Sequence, residues 1–359
     1  MSMSKYINKI KLAITTECNL NCNYCFVKKT NERMKLSTAE KAIDLLLESK
    51  GEDKILSIYG GEPYMNFELV EEIIPYAIDK AKKLNKNLTI STCTNFTLLE
   101  EKHLLFLKKY NIRLIISMIG EKRDHDRMRK FYNNKGTYDS ILKKLTLLFE
   151  IVPRENIGIS FCIFPSTVEN MENNFYHLIN LGFNYINFEI IREYEEWSLN
   201  RIGKFVLELS KIIKYILSEI PKKNFIFLNP VNWEIKYHIL TKSLGISCPF
   251  NYKLEVYPKG EIAFSPFLLN SSQKENYIIG NINKSFFRFD SCRFNPKSSK
   301  CQRCEYDYFK DYSSDEGASK AYRLYHLLCL KAAKEIQNHA CKIKPFGDYV
   351  REIKERICF

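Results

Sequence analysis

Between residues 7 and 217 the chain switches six times between a short apolar run and a longer stretch with helical spacing, and no other feature restricts its fold as much. The runs Ile10–Thr16, Lys54–Tyr59, Leu88–Thr94, Ile112–Met118, Ile157–Phe164 and Tyr185–Ile190 read as strands. The stretches Ser37–Leu47, Phe67–Lys82, Leu99–Tyr110, Tyr138–Phe149, Val168–Leu181 and Ile202–Leu217 read as helices. The first is opened by Ser37 with Glu40 three residues on, a capping-box arrangement. A helix between successive strands is the connection that parallel pairing requires, so the fold class is α/β with a parallel sheet. Six units fall short of the eight of a closed barrel. A partial (β/α)6 TIM-like barrel is expected, with a doubly wound sheet as the alternative. In both, loops at the C-terminal ends of the strands carry the chemistry.

After about residue 220 the rhythm breaks. Pro221, Pro230, Pro249, Pro258–Gly260, Pro266 and Gly280 separate short β-like runs, and Leu254–Tyr257 with Glu261–Phe264 reads as a hairpin. A last helix is expected from about Ser314 to Cys341, capped by Ser313 and Glu316, with Tyr322, Tyr325, Leu328, Cys329, Ala332 and Ile336 on one face. Two domains follow, 1–220 and 221–359. No apolar run reaches the ~18 residues of a membrane helix, and Met1–Lys11 lacks a signal-peptide block, so a cytoplasmic protein without a membrane partner is expected. The net charge is +13, most of it after residue 220. A basic region attracts acidic peptides, nucleic acids or anionic cofactors. The Lys-, Asn- and Ile-rich composition is the plainer source, and without a basic block or an aromatic-interleaved RNA motif, nucleic acid is not expected as a partner.

The chain has 12 cysteines, and in a reducing compartment clustered cysteines point to metal or catalysis before disulfides. Cys18, Cys22 and Cys25 follow the first strand as C-x3-C-x2-C, a spacing expected by chance about a hundredth of a time in such a chain. Three thiolates on one loop suit three irons of a cubane, leaving the fourth open to a ligand. A zinc site or three loop cysteines are the alternatives, although zinc usually takes a fourth Cys or His nearby and no histidine precedes His103. Tyr59-Gly60-Gly61-Glu62-Pro63 closes the second strand. Its glycines allow close backbone approach and its carboxylate suits an ammonium group, or the segment is a plain βα turn.

The loop, with an aromatic at Tyr24, resembles the signature of the radical S-adenosylmethionine (SAM) superfamily. The resemblance implies that Cys18, Cys22 and Cys25 bind a 4Fe-4S cluster and that SAM chelates the open iron. Gly60, Gly61, Glu62 and Pro63 resemble the family's G-G-E-P motif, which contacts the SAM amino group. Ser91–Asn95 is similar to the S-T-N-G stretch, with Phe96 where the family has glycine. Ser117-Met118-Ile119-Gly120, His125-Asp126-Arg127-Met128-Arg129 and Gly136-Thr137-Tyr138 resemble motifs of peptide- and protein-modifying members, with Ile119 replacing an aspartate. Ser117 and Arg129 would then face the SAM ribose and carboxylate. A surface polar pair is the alternative for them, and His125 is either a proton donor or structural.

Cys301-Gln302-Arg303-Cys304, preceded by Cys248, resembles a degenerate SPASM or twitch auxiliary-cluster region. Ser265, Lys310 and Ser314 stand where the full pattern has cysteines. One auxiliary 4Fe-4S cluster is the upper limit, held by Cys248, Cys301, Cys304 and Cys292. Cys329 falls on an apolar helix stripe, and Cys93 and Cys162 fall in strands, so all three read as core. A zinc knuckle is the rival for the C-terminal cysteines.

The resemblance implies an enzyme that cleaves SAM to a 5′-deoxyadenosyl radical and takes hydrogen from a ribosomally made peptide, giving an oxidative cross-link or maturation. A flavodoxin or ferredoxin would supply electrons. With only about ten residues before the first strand, a separate leader-binding protein or the basic C-terminal region would hold a leader. Sulfatase maturation is disfavoured because Pro266 replaces an expected aspartate. A radical SAM enzyme of small-molecule cofactor biosynthesis and a non-catalytic iron–sulfur or zinc protein binding nucleic acid are the other readings.

Overall fold

The computed structural model describes residues 7–191, 194–229, 231–232, 235, 253–263, 278–284, 286–287, 316–340 and 342–356. Its strands are β1 (Lys9–Ala13), β2 (Asp53–Tyr59), β3 (Asn87–Thr94), β4 (Arg113–Ser117), β5 (Ile157–Ile163), β6 (Tyr185–Ile190), β7 (Phe227–Asn229), β8 (Lys253–Val256), β9 (Glu261–Ala263), β10 (Gly280–Asn281) and β11 (Phe286–Phe287). They form one sheet in the order β11-β10-β9-β8-β1-β2-β3-β4-β5-β6-β7. The six expected strands are present, parallel and in sequence order. The sheet is open: its edges, β7 and β11, do not meet, as befits a partial barrel.

The pairing does not stop at residue 220, where a domain boundary was expected. β7 adds in parallel to β6, β8 adds in parallel to β1, and β8, β9, β10 and β11 continue antiparallel. Both flanking strands are short, and β7 has only 3 residues, so no periodicity announced it. The hairpin predicted around Pro258–Gly260 is the β8–β9 pair.

The helices are α1 (Leu36–Glu48), α2 (Phe67–Lys83), α3 (Glu101–Lys109), α4 (Lys122–Met128), α5 (Tyr138–Leu142), α6 (Leu145–Ile151), α7 (Met171–Asn180), α8 (Leu199–Glu219), α9 (Glu316–Ala340) and α10 (Lys344–Arg356). Four points differ from expectation, the first being α4, which was not among the expected helices. Ser37 lies inside α1, whose N-cap is Lys35 without a side-chain hydrogen bond, so the Ser37–Glu40 capping box does not form. The single helix expected over Tyr138–Phe149 is split into α5 and α6, and at the break Lys144 donates to the carbonyls of Thr97 and Leu99 at 2.6 and 2.8 Å. α10 was not anticipated, although Phe346, Tyr349, Val350 and Ile353 recur at helical spacing. Among the described residues no helix is long and apolar enough to cross a membrane.

Along the strands, apolar residues alternate with polar ones. Ile10, Leu12, Leu56, Ile58, Leu114, Ile116, Ile159 and Ile186 are at most 1% exposed and belong to one continuous core. The C-terminal helices close that core. Tyr325 and Cys329 of α9 are buried, and the Tyr325 hydroxyl donates to the Phe188 carbonyl at 3.2 Å. In α10 the Tyr349 ring stacks on Phe227 at 5.2 Å, and its hydroxyl donates to the Ile226 carbonyl at 2.9 Å. Tyr349→Ala is therefore expected to cost about 3–5 kcal/mol, the range for emptying a buried aromatic site. An unchanged urea midpoint would show that α10 does not hold the β7 edge.

Candidate active site

The sheet's parallel order brings the ends of β1 to β6 to one edge, where the expected motifs gather. The three-cysteine loop leaves β1 and is tied down at both ends. Ile14 N–H donates to Tyr59, Met34 N–H to Ile14, and Thr16 N–H to Glu32, all within 2.8–2.9 Å. Arg33 pairs with Glu17 at 2.7 Å. On its far side Leu20 bridges to Phe131, and Asn21 N–H donates to Lys130 at 2.7 Å. Within the loop, Leu20 N–H donates to Cys18 Sγ at 3.4 Å, and Asn95 Nδ2 lies 3.9 Å from the same sulfur.

Cys18, Cys22 and Cys25 are free thiols, each partly exposed. Burial pushes Cys18 up to about 11, with Glu62, Cys22 and Cys25 adding to the rise. Burial also raises Cys25, and Cys22 adds to it. The three sulfurs thus lie within electrostatic reach of one another, and thiolates so placed need a cation among them. That fits a metal-bearing group, whose binding displaces the protons. Among the described residues no three His, Cys, Asp or Glu side chains are arranged to hold a single metal ion. Cys248, Cys292, Cys301 and Cys304, with Ser265, Lys310 and Ser314, lie outside the described residues. Cys329 is fully buried in the core, as its helical position suggested.

Gly60 and Gly61 pass against the base of the cysteine loop. A Cβ on Gly60, whose φ is +147°, would lie 2.3 Å from the Thr15 carbonyl oxygen, and one on Gly61 2.2 Å from that of Glu17. This closeness allows Gly61 N–H to donate to Thr15 at 2.8 Å and Glu62 N–H to donate to Glu17 at 2.7 Å. The glycines' first duty is therefore inside the protein, bringing backbone to backbone. Glu62 has one too. It is fully buried, and its carboxylate accepts from Thr94 Oγ1 and Asn95 N–H at 2.7 Å and from Tyr64 N–H at 3.2 Å. Burial raises its pKa, although these donors favour the charged form. Pro63 begins the short turn that follows and is buried.

Phe96, where the family has glycine, keeps a left-handed backbone at φ +63° and is fully buried. The Asn95 side chain helps impose this turn by accepting from Thr97 N–H at 2.9 Å. Such a conformation is costly for a bulky residue.

The segments His125–Arg129 and Gly136–Tyr138 lock together. His125 Nδ1 accepts from Ile119 N–H at 3.2 Å, which leaves Nε2 to donate to Thr137 Oγ1 at 2.8 Å. Asp126 accepts from Tyr138 N–H at 2.9 Å. A Cβ on Gly136 would come within 2.0 Å of the Asp126 carboxyl carbon. Burial, then the Arg129 charge, lowers His125 far below its usual range, so it is a neutral positioning residue. What it positions is Arg129. That guanidinium is buried, donates from one terminal nitrogen to the Tyr24 hydroxyl, and leaves Nε without a partner. A buried, charged donor without an acceptor is costly unless an anionic ligand supplies one.

The sheet face opposite the core was not anticipated. It carries Lys11, Ser57, Tyr59, Ser91, Cys93, Ser117, Ser160, Asn187, Glu189 and Glu255 in alternate strand positions. Lys11 pairs with Glu255 at 3.6 Å and sits 3.7 Å over the Tyr59 ring. Ser57 and Ser91 hydroxyls are 2.9 Å apart, and Asn187 donates to Glu189 at 2.5 Å. Cys93, expected in the core, belongs here, its sulfur 3.8 Å from Ser117 Oγ. Cys162 is buried and contacts Tyr24. A closed barrel fills its interior with branched apolar residues, whereas this face carries polar groups on β1 to β6 and on β8. The signal lay in the period-2 polar positions of strands that read simply as apolar.

The neutral, buried His125 has a pH consequence. Its unfolded pKa is about 6.5 and its folded pKa is lower, so below about pH 6.5 the unfolded chain binds the extra proton and stability falls as pH drops. Burial lowers His103 and His177 as well, so they share the slope. His125→Asn is expected to flatten the decline in urea midpoint between about pH 7 and 5. An identical decline in both proteins would assign it to the other histidines.

Residues 12–195, just over half of the 359, match the Radical SAM superfamily. The chain is 30% identical to an uncharacterized protein of Methanocaldococcus jannaschii over 61% of its own length and 77% of the other. It is 25% identical to the radical SAM cyclopropyl synthase TigE of Paramaledivibacter caminithermalis, covering 55% of this chain and 41% of that one. With the cysteine-type anaerobic sulfatase-maturating enzyme of Clostridium novyi it shares 29% identity over 37% of this chain and 38% of the other. It therefore spans less than half the length of these two named enzymes. Its fold is similar to native anSMEcpe with bound AdoMet, with a TM-score of 0.70 at 17% identity over 93% and 99% of the two chains. It is also similar to Streptococcus suis SuiB bound to precursor peptide SuiA, with a TM-score of 0.55 at 16% identity over 83% and 69%. The loop of three thiols, the glycine turn beneath it and the match across this whole half of the chain agree: the protein belongs to the Radical SAM superfamily and is an enzyme of that class.

Proposed function

We propose that this chain binds a 4Fe-4S cluster through Cys18, Cys22 and Cys25, binds SAM beside it, and modifies a peptide held along the polar face of the sheet. The observation that carries this reading is the buried Arg129, whose unsatisfied Nε sits among the cysteine loop, Tyr24 and the strand ends. When bound, cluster and SAM supply one-electron cleavage to a 5′-deoxyadenosyl radical, chemistry that no side chain performs.

The chain's own residues bind and orient. Arg129 offers Nε to the SAM carboxylate, and Tyr24 holds the guanidinium in place. His125, Asp126 and Thr137 fix the turn that carries Arg129. Ser117 presents its hydroxyl to the ribose from the end of β4. Gly60–Pro63 frame the amino group with backbone, while the buried Glu62 holds β2 to β3 and adds negative potential there. A peptide substrate is supported by the relatives' names, which describe sulfatase maturation and a cyclopropyl synthase, and by the fold shared with SuiB bound to its precursor peptide. The alternating donors and acceptors of the sheet's polar face suit a main chain. Cys248, Cys292, Cys301 and Cys304 would hold one auxiliary 4Fe-4S cluster, which would supply an electron acceptor for an oxidation.

Anaerobically reconstituted protein with dithionite is expected to convert SAM to 5′-deoxyadenosine and to contain about eight irons per chain. The Cys18/Cys22/Cys25→Ala variant is expected to do neither, retaining about four irons. Equal turnover by the variant would overturn the assignment, and a variant holding zinc in place of iron would make the C-terminal site structural. Arg129→Lys keeps the charge but loses the planar fork, so SAM affinity is expected to fall roughly ten- to a hundredfold, the equivalent of one charge-assisted hydrogen bond. Unchanged affinity by equilibrium dialysis would move Arg129 to a purely structural role.

A further inference from the structure

The cysteine loop is flanked by charge of one sign. Residues 18–30 and 127–136 contain no Asp or Glu, yet carry Lys28, Lys29, Arg127, Arg129, Lys130 and Lys135. The two segments are one surface. Leu20 bridges to Phe131, Lys29 Nζ donates to the Leu20 carbonyl at 2.5 Å, and the same amine lies 5.1 Å from the Tyr132 ring centre. Lys28, Arg127 and Lys135 are exposed, as are Asn21 and Asn23 on either side of Cys22, and Tyr132 is 59% exposed. Among the described residues, Lys28, Arg127, Lys130 and Lys135 form no ion pair, whereas cations elsewhere do: Lys80 with Asp44 and Glu48, Lys211 with Glu172 and Glu208. The bordering acids are already matched: Glu17 to Arg33 at 2.7 Å, Glu32 to Lys259 at 2.5 Å, and Asp126 and Asp139, which line one groove with Lys135, to Lys122.

We propose that this face docks an acidic one-electron redox protein over the cysteine loop. The inference rests on the radical SAM reading above, in which the cluster must receive an electron. In that step the donor is oxidised by one electron and the cluster is reduced by one, with no atom transferred. Electron transfer weakens steeply with distance, so a donor's docking surface has to lie over the loop that holds the acceptor. A peptide substrate, by contrast, has to reach the polar face of the sheet, and a nucleic acid has no reason to centre on the thiols. Unpaired cations steer an acidic partner across roughly a Debye length, and the exposed Tyr132 ring adds apolar contact among them. Lys29 is spoken for by the loop's own carbonyl, so the docking charges are Lys28, Arg127, Lys130 and Lys135.

The test compares two electron sources in the reconstituted holoenzyme: dithionite, and a reduced acidic flavodoxin regenerated by its reductase. The Lys28→Glu/Lys130→Glu/Lys135→Glu variant is expected to lose tenfold or more of the flavodoxin-driven rate, on the order of the usual steering effect, and to keep the dithionite-driven rate. The corresponding glutamine variant is expected to lose less, and the wild-type flavodoxin-driven rate is expected to fall as salt is raised. Calorimetric titration of flavodoxin into wild type and variant reads docking without turnover. If neither electron source supports SAM cleavage by the wild type, the radical SAM reading fails and the titration alone decides the docking. Unaltered flavodoxin affinity and rate in the variant would overturn the proposal. So would loss of peptide or RNA binding alongside an unaltered flavodoxin-driven rate.

Discussion

The backbone of Gly60 and Gly61 runs so close to Thr15 and Glu17 that no side chain fits between them, and the site is assembled outward from that contact. The two amide bonds made there continue the β1–β2 pairing beyond the ends of the strands. The cysteine loop therefore starts from a rigid base. Glu62, next in the chain, extends the join to β3 by accepting from Thr94 and Asn95, and Asn95 in turn reaches Asn19 and Cys18. Three strand ends and Cys18 are thus parts of one hydrogen-bonded unit, so a Cβ at Gly61 would disturb the base of the cysteine loop as well as a turn.

A second constraint is the cost of burying charge. Arg129 is held by Tyr24 on one side and by the His125–Thr137 clasp on the other, yet one of its donors is left open. Proteins keep such an arrangement where a ligand completes it. The polar face of the sheet shows the same economy. Its groups pair with one another, Lys11 with Glu255 and Asn229 with Asn187 at 2.6 Å, so the sheet carries a hydrophilic face without stranding it.

Much of this was legible in the chain. The βα rhythm depends on local periodicity, and all six strands and their parallel pairing followed from it, whereas their sequential order, which separates a partial barrel from a doubly wound sheet, is seen only in the folded chain. The cysteine spacing and the glycine pair were visible as motifs. Other features were not. Phe96 gives no sign of a left-handed backbone, because its conformation is set by the Asn95 turn and by burial. Cys93 read as a core residue, because a strand's sequence shows that its faces differ but not which one meets the helices. β7, three residues long, has too few positions to show a period, and the stripe of α10 falls in a segment of mostly polar residues.

The sequence by itself determined the class of fold, the edge of the sheet where chemistry gathers, and the family, because these depend on short-range patterns of spacing and hydrophobicity. Only the tertiary structure decided what individual polar residues do. Glu62 and His125 both read as groups for a ligand or a proton. In the folded chain the first ties strands together, and the second is a neutral hydrogen-bonded strut. The physical reason is that a side chain's role depends on its burial and its partners. Glu62 reaches Thr94 and Asn95, 32 and 33 positions away, and His125 reaches Thr137, 12 positions away, partners that no local pattern pairs.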